Sequence, residues 1–221
     1  MPLQAVRRPK LDAQPAPKRD AILRAAIDVF ADRGYFNAQV ADVARAAGVA
    51  AGTVYLYFRS KDDLLVSIFE RSMRVALDEA RTVIAKTADP RERLRQFARL
   101  HLGRLGRDRN LAIVFQVELR QSTKFMERFS STLLRDYLGL IREAIADGQR
   151  DGLFRAAIKP TIAAKVLFGA LDEMATNWIL SKRRYALEPE ADAVLELFLN
   201  GVKAGLPPRG GLAAHKAARA R

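Results

Sequence analysis

The sequence predicts an all-α protein. Three observations carry that expectation. Apolar residues recur at three- and four-residue intervals through about nine stretches, the spacing that lays them along one face of a helix. Those stretches are separated by residues that start or stop helices: Gly34, Gly48, Ser60, Asp89-Pro90, Asp151-Gly152, Pro160 and Pro189. No run of apolar residues is bounded by the turn chemistry that a strand would need.

Taken in order, residues 1–17 are rich in Pro, Ala and basic groups. They lack the apolar content to pay for ordering and should form a disordered basic arm. The first helix runs from Lys18 to Arg33 and buries Ile22, Leu23, Ala26, Ile27 and Phe30. Gly34 ends it. Tyr35-Phe36 makes an aromatic corner, and Asn37 is the best available cap for the next helix. Val40, Val43, Ala44 and Ala47 give that helix one apolar face, which Gly48 stops by accepting a left-handed backbone. A third helix starts near Ala51, with Val54 and Phe58 turned inward and Thr53, Tyr55 and Tyr57 outward. Two short helices joined by so tight a turn have helix-turn-helix geometry. In it the second helix enters the DNA major groove and the first braces it.

Ser60 caps the fourth helix, with Asp62 and Asp63 in its first turn where the helix dipole favours anions. It runs from Lys61 to Lys86. At 1.5 Å per residue it spans ~39 Å, a lever joining the head to the rest of the chain. Asp89-Pro90 opens the fifth helix, and Gly103 and Gly106 weaken its end. The sixth covers Asn110–Gln121, the seventh Lys124–Arg150, the eighth Pro160–Ser181 and the ninth Pro189–Gly205. Pro207-Pro208 ends order, leaving a basic tail over 207–221. The domain reading is a disordered arm (1–17), a DNA-binding head (18–60), a helical body (61–206), for which the resemblance given below implies ligand binding and dimerisation, and a disordered tail (207–221).

The composition narrows the function. There are 221 residues, 49% of them hydrophobic, no cysteine and a net charge of +13. Absence of cysteine removes disulfides and thiolate chemistry. No apolar run approaches a membrane span, and Pro9, Pro15 and Pro17 stand where a signal peptide needs an apolar segment. A cytoplasmic protein with no membrane partner is expected. The positive charge points to a polyanion. It lies in residues 1–19, where Arg7, Arg8, Lys10, Lys18 and Arg19 face Asp12 alone, in the tail and in the body; residues 20–60 are neutral. An enzyme reading finds little support. Of the two histidines, His215 is in the tail and His101 reads as an ordinary half-buried residue in preference to a ligand contact. No metal-ligand spacing or phosphate loop occurs, and carboxylates such as Asp172 and Glu173 read as exposed helix residues.

The stretch VADVARAAGVAAGTVYLYFRSK resembles the signature of TetR-family bacterial transcriptional regulators. Ala44, Ala47, Gly48, Val49, Gly52, Thr53, Tyr55, Tyr57, Phe58, Lys61 and Leu64 carry the resemblance. It implies a non-enzymatic homodimeric repressor that binds a palindromic duplex. Tyr55, Tyr57 and Lys61 would hold phosphates, Thr53 would lie near base edges, and Lys18 would add a phosphate at the start of the first helix. The chain departs from the family's pattern at Ala38, Gln39 and Ala41, where a cap and a basic residue are common, and at Ala50 and Ala51, which open the recognition helix. Base readout is therefore sparse, with Gln39, Ala51, Gly52 and Thr53 at the surface that meets DNA. The eighth and ninth helices carry wide apolar stripes, and in the resembled family the last two helices form the dimer interface.

In the body, DRNLAIVFQVELRQS is apolar on nearly all faces yet includes Gln116, Glu118 and Arg120. Buried charge is tolerated when paired or functional. One reading is a structural network, such as Glu118 with an arginine of a neighbouring helix; the other is a ligand cavity. NLAIVFQVELRQS, LLRDYLGLIREAIADGQRDGLFR and FGALDEMATNWIL resemble the body of FadR-type TetR repressors, which control fatty-acid degradation and respond to long-chain acyl-CoA. That resemblance implies an acyl-CoA effector and no cofactor. Phe97, Leu100, Val114, Phe115, Phe154, Phe168 and Trp178 would wall an apolar tunnel, with Glu118 and Arg120 beside it. Arg104, Arg107 and Arg109 would meet the CoA phosphates at its mouth. The rival expectation is a TetR-type regulator of a multidrug exporter responding to apolar drugs.

Overall fold

The computed structural model of the chain describes residues 16–121 and 132–203. The expected arm, apart from its last two residues, the start of the expected seventh helix and the tail lie outside the described residues. Among those described are nine α-helices, no strand and one isolated β-bridge between Phe154 and Lys203. The helices are α1 (Ala16–Arg33), α2 (Val40–Ala46), α3 (Ala51–Tyr57), α4 (Lys61–Ile84), α5 (Pro90–Arg107), α6 (Arg109–Gln116), α7 (Thr132–Arg150), α8 (Pro160–Leu180) and α9 (Glu190–Val202). A 3-10 turn, Glu118–Gln121, follows α6.

Most helix ends obey local chemistry. Gly34, Gly48 and Gly152 all adopt positive φ, and at Gly48 (67°) this lets the chain leave α2 and enter α3 within a few residues. Ser60 accepts the Asp63 N–H at 3.1 Å, and Asp89 accepts the Arg91 N–H at 2.9 Å ahead of Pro90. Asn37 does not cap α2. Its amide donates to the Arg33 carbonyl at 3.1 Å, at the end of α1, and the N-cap residue of α2 is Gln39. Gly103 and Gly106 do not weaken α5, which stays helical to Arg107. They make room for the α8–α9 connection: a Cβ on Gly106 would lie 3.1 Å from Leu187, and one on Gly103 would lie 3.0 Å from Glu188. The expected sixth helix stops at Gln116 and tightens into the 3-10 turn. Tertiary partners on both sides of that turn, given below, override the helical pattern.

Helices α1–α3 and the start of α4 form the head around Ile22, Phe30, Val43, Val54, Phe58 and Leu64. The body packs α5, α7 and α8 together, with α9 over α5 and α8. Helix α6 lies between α8 and α1, so the body touches the head there as well as through α4. Arg71 of α4 also grips Asp20 of α1 with two hydrogen bonds of 2.9 and 2.7 Å.

Lys61 corrects its expected role as a phosphate ligand. Its ammonium donates to the carbonyls of Tyr35, Phe36 and Ala38 at 2.7, 3.1 and 2.9 Å and lies 4.5 Å from the centre of the Tyr35 ring. An ammonium has three protons, and all three are used inside the head. Lys61 thus pins the α1–α2 loop to the foot of α4. Lys61→Met should lower the unfolding free energy by about 2 kcal/mol or more, because hydrogen bonds from a charged donor are lost and carbonyls are left without it. Urea denaturation followed by circular dichroism measures this; a change within about 0.5 kcal/mol, as for an ordinary surface lysine, would refute the pin.

Candidate functional site

The exposed side of α3 carries few polar groups. Ala51 and Gly52 are exposed, Thr53 is half-buried and Tyr55 is 55% exposed. Gln39 is exposed at the start of α2, where its backbone N–H donates to Asp42 at 3.1 Å. Lys18 is exposed in the first turn of α1. Tyr57 is not outward but buried, its ring centre 6.5 Å from that of Phe58. The reason is helical period: positions 54, 57 and 58 share one face, whereas 53, 55 and 57 do not. Phe36, 61% exposed, adds an apolar side chain to the surface of the head.

In the body a cavity of about 60 Å³ lies among α4, α5, α6, α7 and α8. Met73 and Ala76 of α4, Leu105 of α5, Leu111 and Phe115 of α6, Leu134 of α7 and Phe168 of α8 give it apolar walls. Polar groups also line it. Asp172 is buried, accepting from Gln116 at 2.7 Å and pairing with Arg120. Asp172 is thus no exposed helix residue. His101 also lines the cavity, with Nδ1 3.3 Å from the Tyr137 hydroxyl and its ring edge-on to Phe168 at 5.4 Å.

Of the residues expected to hold a ligand, Arg104, Phe115, Arg120 and Phe168 line this cavity. Phe97 backs it, its ring 4.6 Å from that of Tyr137. Val114 is fully buried core and Leu100 packs half-buried against that core. Phe154 lies elsewhere, against Gly148 and in the bridge to Lys203. Trp178 donates from Nε1 to the Tyr185 carbonyl at 2.9 Å and stacks under Arg109. The three arginines do not converge. Arg104 pairs with Glu79 at 2.7 Å, Arg109 donates to the carbonyls of Trp178 and Ile179 at the end of α8, and Arg107 is exposed. Missing from the expected ligand set were His101, Tyr137 and Asp172. Their helical spacing alone could have put Asp172 beside Phe168, four residues away on one face.

Glu118 does not line the cavity. Its buried carboxylate accepts the Tyr35 N–H of the head at 2.7 Å. The 3-10 turn therefore faces two ways: Arg120 reaches the cavity and Glu118 reaches the loop that Lys61 pins. Beside it, Arg24 of α1 pairs with Asp108, and Asn110 donates to Asp28 at 2.8 Å.

Residues 22–68 match the bacterial regulatory proteins of the tetR family, and residues 69–201 match the C-terminal region of YsiA-like proteins. The chain belongs to the TetR family. This TetR-family chain is 35% identical over 189 residues to the fatty acid metabolism regulator protein of Bacillus subtilis, covering 86% of itself and 97% of that protein. Its fold matches the fatty acid degradation regulator FadR of Bacillus halodurans with a TM-score of 0.78 at 38% identity, covering 83% of this chain and 99% of that one. It matches FadR of Bacillus subtilis in complex with stearoyl-CoA with a TM-score of 0.79 at 34% identity, covering 83% and 98%. The TetR-family chain is thus a DNA-binding transcriptional regulator, and its family is not one of enzymes. Among its described residues no helix is long and apolar enough to cross a membrane, and no group of side chains could hold a metal.

Burial holds the His101 imidazole neutral, with its pKa lowered from 6.5 to about 4; Asp172 opposes the shift and Arg104 adds to it. The unfolded histidine titrates at its ordinary value. Between about pH 6.5 and 4 the unfolded chain therefore binds a proton that the folded chain refuses, and stability falls over that window by about 3 kcal/mol. His101→Phe should lose less stability than the parent on going from pH 7 to 4.5 in urea titrations. Parallel losses would mean that His101 titrates normally.

Proposed function

We propose that the chain is a homodimeric repressor of fatty-acid degradation genes, bound to a palindromic operator and released by long-chain acyl-CoA. The observation that carries this reading is the 3-10 turn, which joins an apolar cavity to the DNA-binding head. The likeness to a regulator solved with stearoyl-CoA supports the choice of ligand. The proposed division is a basic arm (1–17), a DNA-binding head (18–60), a body (61–206) and a basic tail (207–221), acting on cytoplasmic DNA. Gln39, Ala51, Gly52, Thr53 and Tyr55 form the DNA surface, with Lys18 at its margin. The acyl chain lies against Met73, Leu105, Phe115 and Phe168, and each buried CH₂ contributes about 0.8 kcal/mol.

A cavity of about 60 Å³ is far below the ~300–1,000 Å³ of ordinary ligand pockets. An acyl chain must part the helices around it. Gln116, Arg120 and Asp172 move with those walls, and Glu118 carries the movement to the α1–α2 loop. Release then follows from the ligand's preference for the parted body, and DNA must weaken the ligand by the same factor.

The dimer forms through α8 and α9. Ile162, Val166 and Leu180 on α8 and Leu197 on α9 are exposed, the last at 77%. Leu167, by contrast, is wholly buried inside the subunit and belongs to its core. Val166→Glu with Leu197→Glu should give a particle near the 24.6 kDa of one chain in light scattering, where the parent gives twice that. A parent that is itself monomeric at micromolar concentration would sink the dimer.

Operator release is tested on the duplex that the protein itself enriches from a random pool. Palmitoyl-CoA should release it, while CoA and palmitate should not. Release by apolar drugs and not by palmitoyl-CoA would establish the exporter-regulator alternative. Glu118→Ala should bind palmitoyl-CoA within a few-fold of the parent yet lose most of the ligand's effect on DNA affinity. An unchanged effect would assign the coupling to α4 alone.

A further inference from the structure

The surface that α3 turns outward holds little with which to read a base by hydrogen bonds. Val54, Tyr57 and Phe58 face the core of the head. Positions 52, 55 and 56 share the opposite side, being three and four residues apart. Ala51 and Gly52 bring no polar side chain, and the Thr53 side chain is half-buried. Beside Tyr55 on that side stands an aliphatic residue. Leu56 is 69% exposed, the most exposed large apolar side chain among the described residues of the head.

A lone leucine on a protein surface needs no explanation. One on the outer face of a recognition helix does, because that face is buried when the helix enters the major groove. Gly52, one turn earlier on the same side, points the same way. Its φ is not positive, and a Cβ added to it would meet no atom within 4 Å. Neither backbone conformation nor packing inside the subunit requires a glycine there. The missing side chain serves a close approach from outside. What approaches must then offer Leu56 an apolar partner. The major groove presents hydrogen-bond donors and acceptors and one apolar group, the C5 methyl of thymine. Over any other base edge, or over a phosphate, the leucine would strip water from polar atoms and return no hydrogen bond.

We infer that Leu56 is a specificity-determining residue, which packs on a thymine methyl in the major groove of each operator half-site. The inference rests on the operator-binding reading above. Gly52 lets the helix sink toward the base edges, and Leu56 covers the methyl and excludes water from it. Sequence at this position is read by apolar contact instead of by a hydrogen bond. That suits a helix that opens Ala-Gly-Thr and carries no charged residue in its seven.

The test takes the duplex that the full chain enriches from a random pool and replaces each thymine in turn by deoxyuridine, which keeps the base pair and lacks only the methyl. Fluorescence-anisotropy titrations compare the parent with Leu56→Ala. At one thymine per half-site the parent should lose about three- to fourfold in affinity, the worth of one buried methyl, and about tenfold or more when both half-sites are replaced. Leu56→Ala should bind the thymine duplex more weakly, show no further loss on replacement at that thymine, and bind an unrelated duplex as the parent does. A fresh enrichment with Leu56→Ala should no longer select thymine there. A parent indifferent to deoxyuridine at every position would overturn the inference, as would a variant that keeps every penalty of the parent. Equal weakening of the variant on enriched and unrelated DNA would also overturn it, by placing Leu56 over the sugar-phosphate backbone. The urea midpoint of Leu56→Ala should match that of the parent; a lowered midpoint would make Leu56 part of the packing of the head and overturn its role as a reader. These outcomes leave operator binding standing. Failure of the parent to enrich any duplex would overturn operator binding and the role of Leu56 together.

Discussion

Glu118 is a carboxylate buried where the body meets the head, and it accepts the Tyr35 N–H at 2.7 Å. A buried charge is costly unless it is hydrogen-bonded, and this bond ties the loop after α1 to the 3-10 turn. Lys61 holds the same loop from the other side through three carbonyls. The loop hangs between an anion of the body and a cation at the foot of α4. The Tyr35 hydroxyl is hydrogen-bonded to Asp62, and burial together with that carboxylate pushes its phenol pKa up. Because α2 follows this loop directly, the brace for the recognition helix is set by interactions that belong partly to the body.

This changes how the two halves are joined. Helix α4 passes from head to body and looks from its length like the sole lever. The structure adds a second contact, in which α6 lies along α1 with Arg24–Asp108 and Asn110–Asp28 at the seam. Two links at different places resist rotation better than one. The cavity wall and the head are also joined by a short path, a turn of four residues.

The cavity combines apolar walls with a polar edge. Asp172 accepts from Gln116 and Arg120 there, and the single proton of the Thr176 hydroxyl is shared between Gln116 Oε1 at 3.2 Å and the Asp172 carbonyl at 3.1 Å. Replacing such a set with well-packed apolar residues often costs nothing or stabilises a protein. Stability alone therefore does not account for such a set at the cavity. His101 and Tyr137 continue the polar edge, and burial keeps both uncharged by lowering the histidine pKa and raising that of the phenol.

Helix positions were legible in the sequence because they depend on chemistry within a few residues. Glycine at 48, serine at 60 and prolines at 90 and 160 act on their own backbone, and the 3.6-residue period exposes which face of α4 or α8 is buried. The head motif was legible for the same reason, since two helices and a turn are local. Tyr57 shows that even a local rule must be counted out: its position relative to Val54 and Phe58 already placed it inward. What only the tertiary structure decided were the partners of long side chains. Lys61 has equal local propensity for a phosphate and for a backbone carbonyl, and only the approach of the α1–α2 loop selects the carbonyls. Arg109 is taken by the end of α8, Asp172 is drawn into a cavity by Arg120, and Glu118 finds an N–H that lies 83 residues away in the chain. Such partners are chosen by how helices pack, and periodicity along one helix carries no information about which residue of another helix will face it.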